Sequence, residues 1–430
     1  MSTTANAKTI ASFSSAHGLG VLCALTAGVW LGAAEAPTKL VNSGLSPYAI
    51  SLCMVAGVFT ARWTVPTLLK GTRYVFADLN LNRHLILNAI LAGMLWAVAN
   101  TLTVFAIRDV GLTIAFPLWN TNSLVGILWG RLLFGELKGA STRNIAKVIL
   151  GALAIVAAAI MLGFSTIHSD APHAHRALSG ILAAAGASLL WGTMYIPYRK
   201  AYISGMNPLS FVTVFTIGEL GTCFALVLAF DGGTSAAVFH SPETKHLLFW
   251  LFLGGFAWVI GDLFQQFATK FLGIGRAIPL SNTNQLWGLA WGALVFGELA
   301  HADALHRLLV VVGSLVMILG ALAVSTAIAT EREHGSTHAA VQRECARYEL
   351  DLEQVLQANA GADPATRQER RAWWDYLIVA LAVGVFVYLG CNARMPALAM
   401  DLAWIWALGA VLVASAAVCG WGLYRATRFS

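Results

Sequence analysis

Polar side chains inside long apolar segments are the first candidates for chemistry in this chain. Asp262 lies in such a segment with Gln265 and Gln266 one turn later, and Glu219 lies in the middle of another. Polar groups are costly in hydrocarbon, so they tend to face a cavity or a partner. A carboxylate in a partly dry cavity can gain and lose a proton near neutral pH. We therefore predict proton coupling at Asp262 or Glu219, or else a permanently ionised Asp262 paired with a nearby cation.

Amide and aromatic side chains form a second set of candidates. Amides both donate and accept hydrogen bonds, as the hydroxyl groups of a solute require, without placing a full charge in the membrane. Aromatic rings can stack on the apolar face of a sugar ring. The equally open alternative is that the asparagines only join helices through interhelical hydrogen bonds. The candidate substrate-binding residues are Asn100, Asn120, Asn122, Asn282, Asn284, Gln265, Trp96, Trp258 and Tyr195.

These residues lie in a chain whose composition places it in the lipid bilayer. Hydrophobic residues make up 58% of the chain, charged residues 11%, and the mean hydropathy is +0.70. A helix needs about 20 residues to cross the hydrocarbon. The sequence predicts twelve crossings, near 19–40, 47–69, 85–107, 111–135, 144–164, 178–203, 208–230, 246–269, 275–299, 305–329, 373–391 and 401–424.

A long internal repeat fixes the arrangement of the first ten crossings. Residues 117–137 and 279–299 are identical at fourteen of twenty-one positions, and the two segments lie 162 positions apart. Because each half has five crossings, the second half enters from the opposite side, and duplicated inverted halves are typical of alternating-access transporters. The predicted divisions are an N-terminal tail 1–17, an inverted pair of five-helix repeats 18–168 and 169–330, a charged linker 331–372, and two additional helices in 373–430.

Lysine and arginine indicate the orientation of the chain. With the N-terminus inside, most of the 27 lie in cytoplasmic loops and tails, and both termini are predicted to be cytoplasmic. The net charge of +6 is thus attributed to membrane topology and not to nucleic-acid binding. Arg62 and Arg131 lie within crossings, close to their predicted cytoplasmic ends.

The repeated segment itself contains two features with structural consequences. Residues two apart on a regular helix face different ways, so either one asparagine of each Asn-Thr-Asn faces a cavity, or the helix opens after Pro117 and Pro279. Glu136 and Glu298 follow Phe-Gly at helix ends, where their own helix dipole does not favour a carboxylate. We expect both to bind a neighbouring loop or helix N-terminus, in a structural role.

These motifs resemble a known group of transporters. The inverted five-helix repeats, the Gly-x-x-Trp pair at Gly93 and Gly255, and the Asn-Thr-Asn segments closing with Phe-Gly-Glu are similar to the drug/metabolite transporter superfamily. The likeness is greatest to its glucose/ribose porter branch and bacterial sugar-uptake proteins, over roughly residues 18–330. It implies a cavity lined by helices one, three, four, six, eight and nine, and sugar import often coupled to protons, in a bacterial plasma membrane. It also makes helices two and seven peripheral, which weakens the case for Glu219.

The last hundred residues depart from that resemblance. An apolar stripe recurs in the charged stretch at four- and three-residue steps, comprising Val341, Cys345, Tyr348, Leu352 and Val355. It predicts an amphipathic cytoplasmic helix that self-associates, lies against the transporter or lies on the membrane surface. The sequence leaves open whether this region forms a homodimer contact or an interaction appendage.

Taken together, the sequence predicts an all-α secondary transporter for a sugar or a similar polyhydroxylated solute. No paired metal-ligand spacing, phosphate loop or catalytic constellation is seen, so we expect no metal, cofactor or enzymatic activity. The 162-residue repeat argues against a major-facilitator transporter, whose halves have six helices each. An exporter or lipid-headgroup flippase of the same superfamily stays open, and a non-transporting membrane scaffold is the distant alternative.

Pro37 and Pro197 are predicted hinges, since a proline removes a backbone hydrogen bond within a helix. Pro37→Ala and Pro197→Ala should therefore change the transport rate more than the protein's abundance. Initial uptake rates, divided by the amount of protein in the membrane, check this. A loss of rate that only follows a loss of abundance would indicate a folding role instead.

Overall fold

The computed structural model describes residues 2–34, 36, 46–164, 177–232, 242–297, 299, 303–359, 371–394 and 400–429. The regular elements of this part of the chain are all helical. A 3-10 turn, Arg83–Leu85, precedes α4, and a π-helical turn, Trp291–Val295, follows α11. The α-helices are α1 Ser2–Ala33, α2 Pro47–Leu69, α3 Thr72–Leu81, α4 Ile86–Trp119, α5 Asn122–Leu133, α6 Thr142–Phe164, α7 Ala177–Ile203, α8 Pro208–Phe230, α9 Pro242–Leu272, α10 Ile274–Ser281, α11 Asn284–Ala290, α12 Ala304–Ser325, α13 Glu331–Tyr348, α14 Leu352–Asn359, α15 Trp373–Asn392 and α16 Leu402–Thr427.

The protein is a multi-pass integral membrane protein. Among the described residues, ten helices are long and apolar enough to cross a membrane. They correspond to ten of the twelve predicted crossings, from the first at Ala16–Ala33 to the last at Leu402–Thr427. The other two predicted crossings, 111–135 and 275–299, are each interrupted by a turn, and so neither is one continuous helix.

The helical segment α4 contains the third crossing and the first part of the fourth. Leu102 packs against Gly186 of α7, whereas Thr121, just beyond α4, shares a 2.7 Å hydrogen bond with Ser188 only two residues further along α7. A straight helix would separate residues 102 and 121 by about 28 Å. The chain therefore reverses direction between them, as two neighbouring crossings require.

Both Asn-Thr-Asn segments interrupt their helices. α4 ends at Trp119 and α10 ends at Ser281, each two residues after the proline of the repeat, and a short turn then leads into α5 or α11. The helices thus open locally after Pro117 and Pro279, as the second alternative from the sequence predicts. The two openings meet, because Asn282 Nδ2 lies 3.2 Å from the carbonyl oxygen of Asn120.

Glycines allow helices of the two halves to cross closely. A Cβ added to Gly255 of α9 would lie 2.0 Å from the carbonyl oxygen of Met54 in α2. A Cβ added to Gly93 of α4 would lie 2.0 Å from the carbonyl oxygen of Phe215 in α8. Backbone contact of this kind is the usual role of small residues between membrane helices. The second helix of each half therefore packs on the third helix of the other half.

The polar helices α13 and α14 lie across one end of the bundle, which we call the basic face and define by Lys70, Lys138, Lys200 and Lys270. Lys200 Nζ lies 2.6 Å from the hydroxyl of Tyr348, and Lys270 Nζ donates to the carbonyl oxygen of Ala358. Val341, Cys345 and Val355 of the predicted apolar stripe are buried in the main core. Of the three predicted alternatives, the structure shows the amphipathic segment packed against the helical bundle.

The start of α13 is fastened to the basic face by a buried ion pair. Arg276 of α10 donates from Nη1 and Nη2 to the two carboxylate oxygens of Glu333, at 2.6 and 2.9 Å. Glu333 also accepts from the backbone N–H of Leu137, just after the Phe-Gly-Glu turn. One glutamate thus joins α13 to both the fourth and the ninth crossing.

The two additional helices, α15 and α16, pack along the side of the bundle. Asp375 at the start of α15 accepts hydrogen bonds from the backbone N–H and the hydroxyl of Thr72. Along α16, the carbonyl oxygen of Leu412 accepts from the indole N–H of Trp30, and Cys419 Sγ lies 3.5 Å from Cys23 Sγ. α16 therefore packs against α1.

Glu333→Gln should destabilise the protein, because it removes the negative charge that pairs with the buried guanidinium of Arg276. Breaking a buried ion pair costs roughly 3 kcal/mol. We expect a lower melting temperature in detergent and faster proteolysis within α13. Glu331→Gln, an exposed carboxylate in the same helical turn, is the matched control and should change neither.

The effect of Glu333 should also depend on pH. Burial acts to raise the pKa of Glu333, but its hydrogen bonds and charge pairing with Arg276 outweigh burial and hold the pKa below its usual range. A lowered carboxyl pKa stabilises the folded state above the unfolded pKa, and this contribution is lost as pH falls through the folded pKa. The stability difference between wild type and Glu333→Gln should therefore be full at neutral pH and shrink below about pH 4.

Candidate functional site

The centre of the bundle contains three charged side chains in direct contact. Arg62 of α2 donates from Nη2 to Asp262 Oδ2 of α9 at 2.8 Å, and its Nη1 lies 3.2 Å from Glu219 Oε2 of α8. All three side chains have a relative exposure of 0%. We call Arg62, Glu219 and Asp262 the charged triad. It joins both predicted proton-coupling carboxylates to one guanidinium.

Neutral polar and aromatic groups surround the charged triad. Gln266 donates from Nε2 to Asp262 at 3.1 Å and accepts a hydrogen bond from the hydroxyl of Tyr202. The guanidinium of Arg62 lies 4.1 Å from the ring centroid of Phe215 and 5.4 Å from that of Trp258. Cation–π contact of this kind is strongest where water is excluded. The arginine is therefore held on one side by carboxylates and on the other by aromatic rings.

The placement of Glu219 corrects the expectation drawn from the resemblance. Helices two and seven were expected to be peripheral, yet α2 and α8 bring Arg62 and Glu219 to the buried centre. Sequence reasoning also missed Arg62 by assigning it to the cytoplasmic end of its crossing. The available signal was an arginine inside an apolar segment, which needs a carboxylate partner in hydrocarbon.

The Gly-x-x-Trp motif explains how these groups meet. Gly93 and Gly255 allow α8 and α2 to approach α4 and α9 at backbone contact, and the tryptophans one turn later fill the centre. The ring centroids of Trp96 and Trp258 are 4.9 Å apart. The two motif tryptophans therefore meet each other near the pseudo-two-fold axis, and Trp258 also contacts the charged triad.

Asn100, the repeat partner of Asp262, lies in a neutral polar cluster. Its Nδ2 donates to Ser51 Oγ at 2.9 Å, and Ser51 Oγ lies 3.2 Å from Thr101 Oγ1. Like Asp262, Asn100 is thus paired with a residue of α2. The inverted halves place an amide and hydroxyls at one of the two matching positions, and ionised groups at the other.

The remaining predicted amides are mostly engaged with one another. Asn282 Nδ2 donates to Asn122 Oδ1 at 2.9 Å as well as to the backbone of Asn120, and Gln265 Nε2 donates to Ser281 Oγ at 2.6 Å. In this conformation the asparagines join helices, as the alternative from the sequence states. By contrast, Asn284 Oδ1 is buried with no hydrogen-bond donor among the described residues.

Tyr195 and Pro197 both lie in α7. The Tyr195 ring packs edge-on against Tyr198 at 5.5 Å, next to the aromatic groups around the charged triad. Pro197 is inside the helix, as predicted. Pro37 and Glu298 lie outside the described residues. The described residues contain no group of three potential metal ligands.

Glu136 lies at the basic face and contacts two neighbouring helices. Its carboxylate accepts from the backbone N–H groups of Ile274 and Gly275, at 3.0 and 2.9 Å, and so caps the N-terminus of α10. The prediction of a helix N-terminus as its partner is confirmed. Arg199 of α7 also contacts this carboxylate, with Nε 3.1 Å from Oε1, and its Nη1 donates to the carbonyl oxygen of Thr269.

Two glycines in left-handed conformation make this capping contact possible. Gly135, with φ +70°, turns the chain so that Glu136 points back to the bundle, and Gly273, with φ +79°, separates α9 from α10. A Cβ on Gly273 would lie 2.5 Å from Glu136 Oε1. The Phe-Gly-Glu segment therefore ties the end of the fourth crossing to the start of the ninth.

A family model described as "Sugar transport protein" matches residues 18–165 and 182–347 of this chain, more than half of its length. The chain belongs to this family. The match to the sugar transport family includes the crossings that carry the charged triad and extends into α13. α14, α15 and α16 lie beyond it.

Bacterial relatives share parts of the chain. An Enterococcus faecalis protein named "Putative sugar uptake protein" is 27% identical over 128 residues, 30% of this chain and 40% of that protein. One from Listeria innocua, "Putative sugar uptake protein lin0215", is 24% identical over 55% of this chain and 77% of that protein. The Bacillus cereus "Probable glucose uptake protein GlcU" is 31% identical over 24% and 34%. The match thus spans less than half of the Enterococcus and Bacillus proteins.

Gly93→Ala should disrupt the centre of the molecule, because its Cβ would meet the backbone of α8 and push Glu219 away from Arg62. Gly221→Ala in α8 is the control, since a Cβ there meets no atom within 4 Å. We expect Gly93→Ala to lower the yield of monodisperse protein and its melting temperature, and Gly221→Ala to leave both unchanged or slightly raised. Equal behaviour of the two variants would contradict the close crossing.

Proposed function

We propose that this member of the sugar transport family takes up a sugar or a similar polyhydroxylated solute by alternating access, coupled to protons at Asp262. The observation that carries the proposal is the fully buried contact of two carboxylates, Glu219 and Asp262, with the single guanidinium of Arg62, beside the paired tryptophans of the two halves. The names of the bacterial relatives support a sugar as the solute. Their source supports a bacterial plasma membrane as the location.

The solute site is proposed between the two halves, around Trp96 and Trp258 and the openings of the fourth and ninth crossings. Sugars are bound by aromatic stacking on their C–H faces and by side chains that both donate and accept hydrogen bonds. Asn282 and Asn122 now bond to each other, so solute entry requires them to separate and exchange that bond for bonds to hydroxyl groups. The unpaired Oδ1 of Asn284 is a further acceptor for a hydroxyl.

Alternating access would proceed by opening the basic face, which the positive-inside rule predicts to be cytoplasmic along with both termini. Glu136 must then release the N-terminus of α10, and Arg199 must release the end of α9. These contacts are polar and lie at helix ends, where water can replace them once the helices separate. The helix openings after Pro117 and Pro279 touch at the centre, and we expect the two halves to rotate against each other there.

Purified protein in liposomes loaded with a pH-sensitive dye tests the proposal against a panel of monosaccharides. We expect sugar-dependent acidification in the wild type and its loss in Asp262→Asn, because the variant has no carboxylate to protonate at that position. Glu353→Gln, an exposed carboxylate of α14, is the control and should acidify like the wild type.

Other results would redirect the proposal. Acidification that persists in Asp262→Asn would move coupling to another carboxylate, with Glu219 first. No response of the wild type to any sugar would favour the exporter or lipid-headgroup flippase. Sugar uptake without acidification would leave a facilitator and remove proton coupling.

A further inference from the structure

The charges of the charged triad do not balance. Arg62 supplies one positive charge, whereas Glu219 and Asp262 supply two negative charges when both are ionised. Within the described part of the chain, no other lysine, arginine or histidine lies within ion-pair distance of either carboxylate. A net negative charge that is fully shielded from water is strongly unfavourable.

Among the described residues, the helices packed around the triad contribute no compensating cation. From α9, Gln266 donates one amide hydrogen to Asp262, and from α7, Tyr202 donates its hydroxyl to Gln266. The neighbouring groups from α4, α7, α8 and α9 are uncharged at neutral pH, comprising Trp96, Tyr195, Tyr198, Tyr202, Phe215, Trp258 and Gln266. The missing charge must therefore be supplied by a proton on one of the two carboxylates.

We infer that Arg62 makes Glu219 and Asp262 share a single proton, so that the occluded transporter is neutral and carries one proton in each cycle. This inference rests on the proposed proton coupling and adds its stoichiometry and the residue that sets it. Arg62 is a positioning residue, since it pairs with the ionised carboxylate and does not itself exchange a proton. On opening to water, the carboxylic acid releases its proton, and the solvated triad then tolerates its net charge.

Removing either carboxylate should uncouple sugar movement from proton movement. In Glu219→Gln, Arg62 and Asp262 remain as a balanced pair, and in Asp262→Asn, Arg62 and Glu219 remain as a balanced pair. Either variant can then occlude without a proton. We therefore expect both to become facilitators that move sugar down its gradient, with no proton flux and no accumulation driven by a pH gradient.

Wild type, Glu219→Gln, Asp262→Asn and Arg62→Lys are compared in proteoliposomes with radiolabelled glucose and a pH-sensitive dye. The expected wild-type ratio is one proton per glucose, measured from the pH gradient that just balances an imposed glucose gradient. Glu219→Gln and Asp262→Asn, which we call the two neutral variants, should retain glucose counterflow within about tenfold of wild type and lose all pH-driven accumulation. Arg62→Lys keeps the charge count and should keep the ratio of one, even at a reduced rate.

Specific results would overturn the inference. A ratio of two, or pH-driven accumulation that persists in Glu219→Gln, means that the carboxylates do not share one proton. A wild type that moves glucose without protons, or moves none of the panel sugars, contradicts the proposed function itself, and the inference falls with it.

A second measurement tests the shared proton without any solute. Infrared difference spectra of the purified protein, recorded across a pH titration, resolve the carbonyl stretch of buried protonated carboxyl groups. The spectrum of the wild type should show one protonated carboxyl group at the charged triad. Each neutral variant should show none there, and Arg62→Gln should show two. Separate bands removed one at a time by Glu219→Gln and Asp262→Asn would show two protons and refute sharing. Melting curves of each variant confirm that it is folded before its spectrum is compared.

Discussion

The burial of one guanidinium with two carboxylates is the constraint on which the rest of the structure depends. Charge in hydrocarbon is tolerated only when it is paired and hydrogen-bonded, so Arg62, Glu219 and Asp262 must be brought together from three different helices. That requirement fixes how α2, α8 and α9 cross. It also means that any conformational change which separates these helices must first admit water or neutralise a charge. A site with this property is suited to coupling solute movement to a proton.

Close helix crossings satisfy this constraint. Gly93 and Gly255 remove the side chains that would hold α8 and α2 away, and Trp96 and Trp258 fill the resulting centre. The same arrangement occurs in both halves because the chain is duplicated, yet the polar residues at the matching positions differ. Asn100 with Ser51 is neutral, whereas Asp262 with Arg62 is charged. The duplication thus provides a symmetric framework in which a charged contact between the halves forms at only one of the two matching positions.

Polar contacts on the basic face are of a different kind. Glu136, Arg199, Arg276 and Glu333 are also buried, but they join the ends of helices and not their middles. They hold the face closed through capping of α10 and through the ion pair to α13. In the proposed transport cycle, the central charges set the conditions for occlusion, and the charges of the basic face set how firmly that face is shut. α13 and α16 place parts of the C-terminal region in contact with α10 and α1, which belong to the two repeats.

Apolar composition and internal repetition were enough to predict an all-α membrane protein, the duplication of the chain, ten of the crossings and the candidate polar residues. The length of the apolar segments, the 162-residue spacing and the polar residues within apolar segments are local or periodic signals, and so they can be recognised in the sequence. Which polar side chains contact one another could be seen only in the tertiary structure. The sequence placed Arg62 near a membrane end, and the resemblance placed Glu219 at the periphery, because neither reveals which neighbour a single helix crosses. Contacts between helices far apart in the chain joined them to Asp262, joined Asn282 to Asn122, and laid α13 across the basic face.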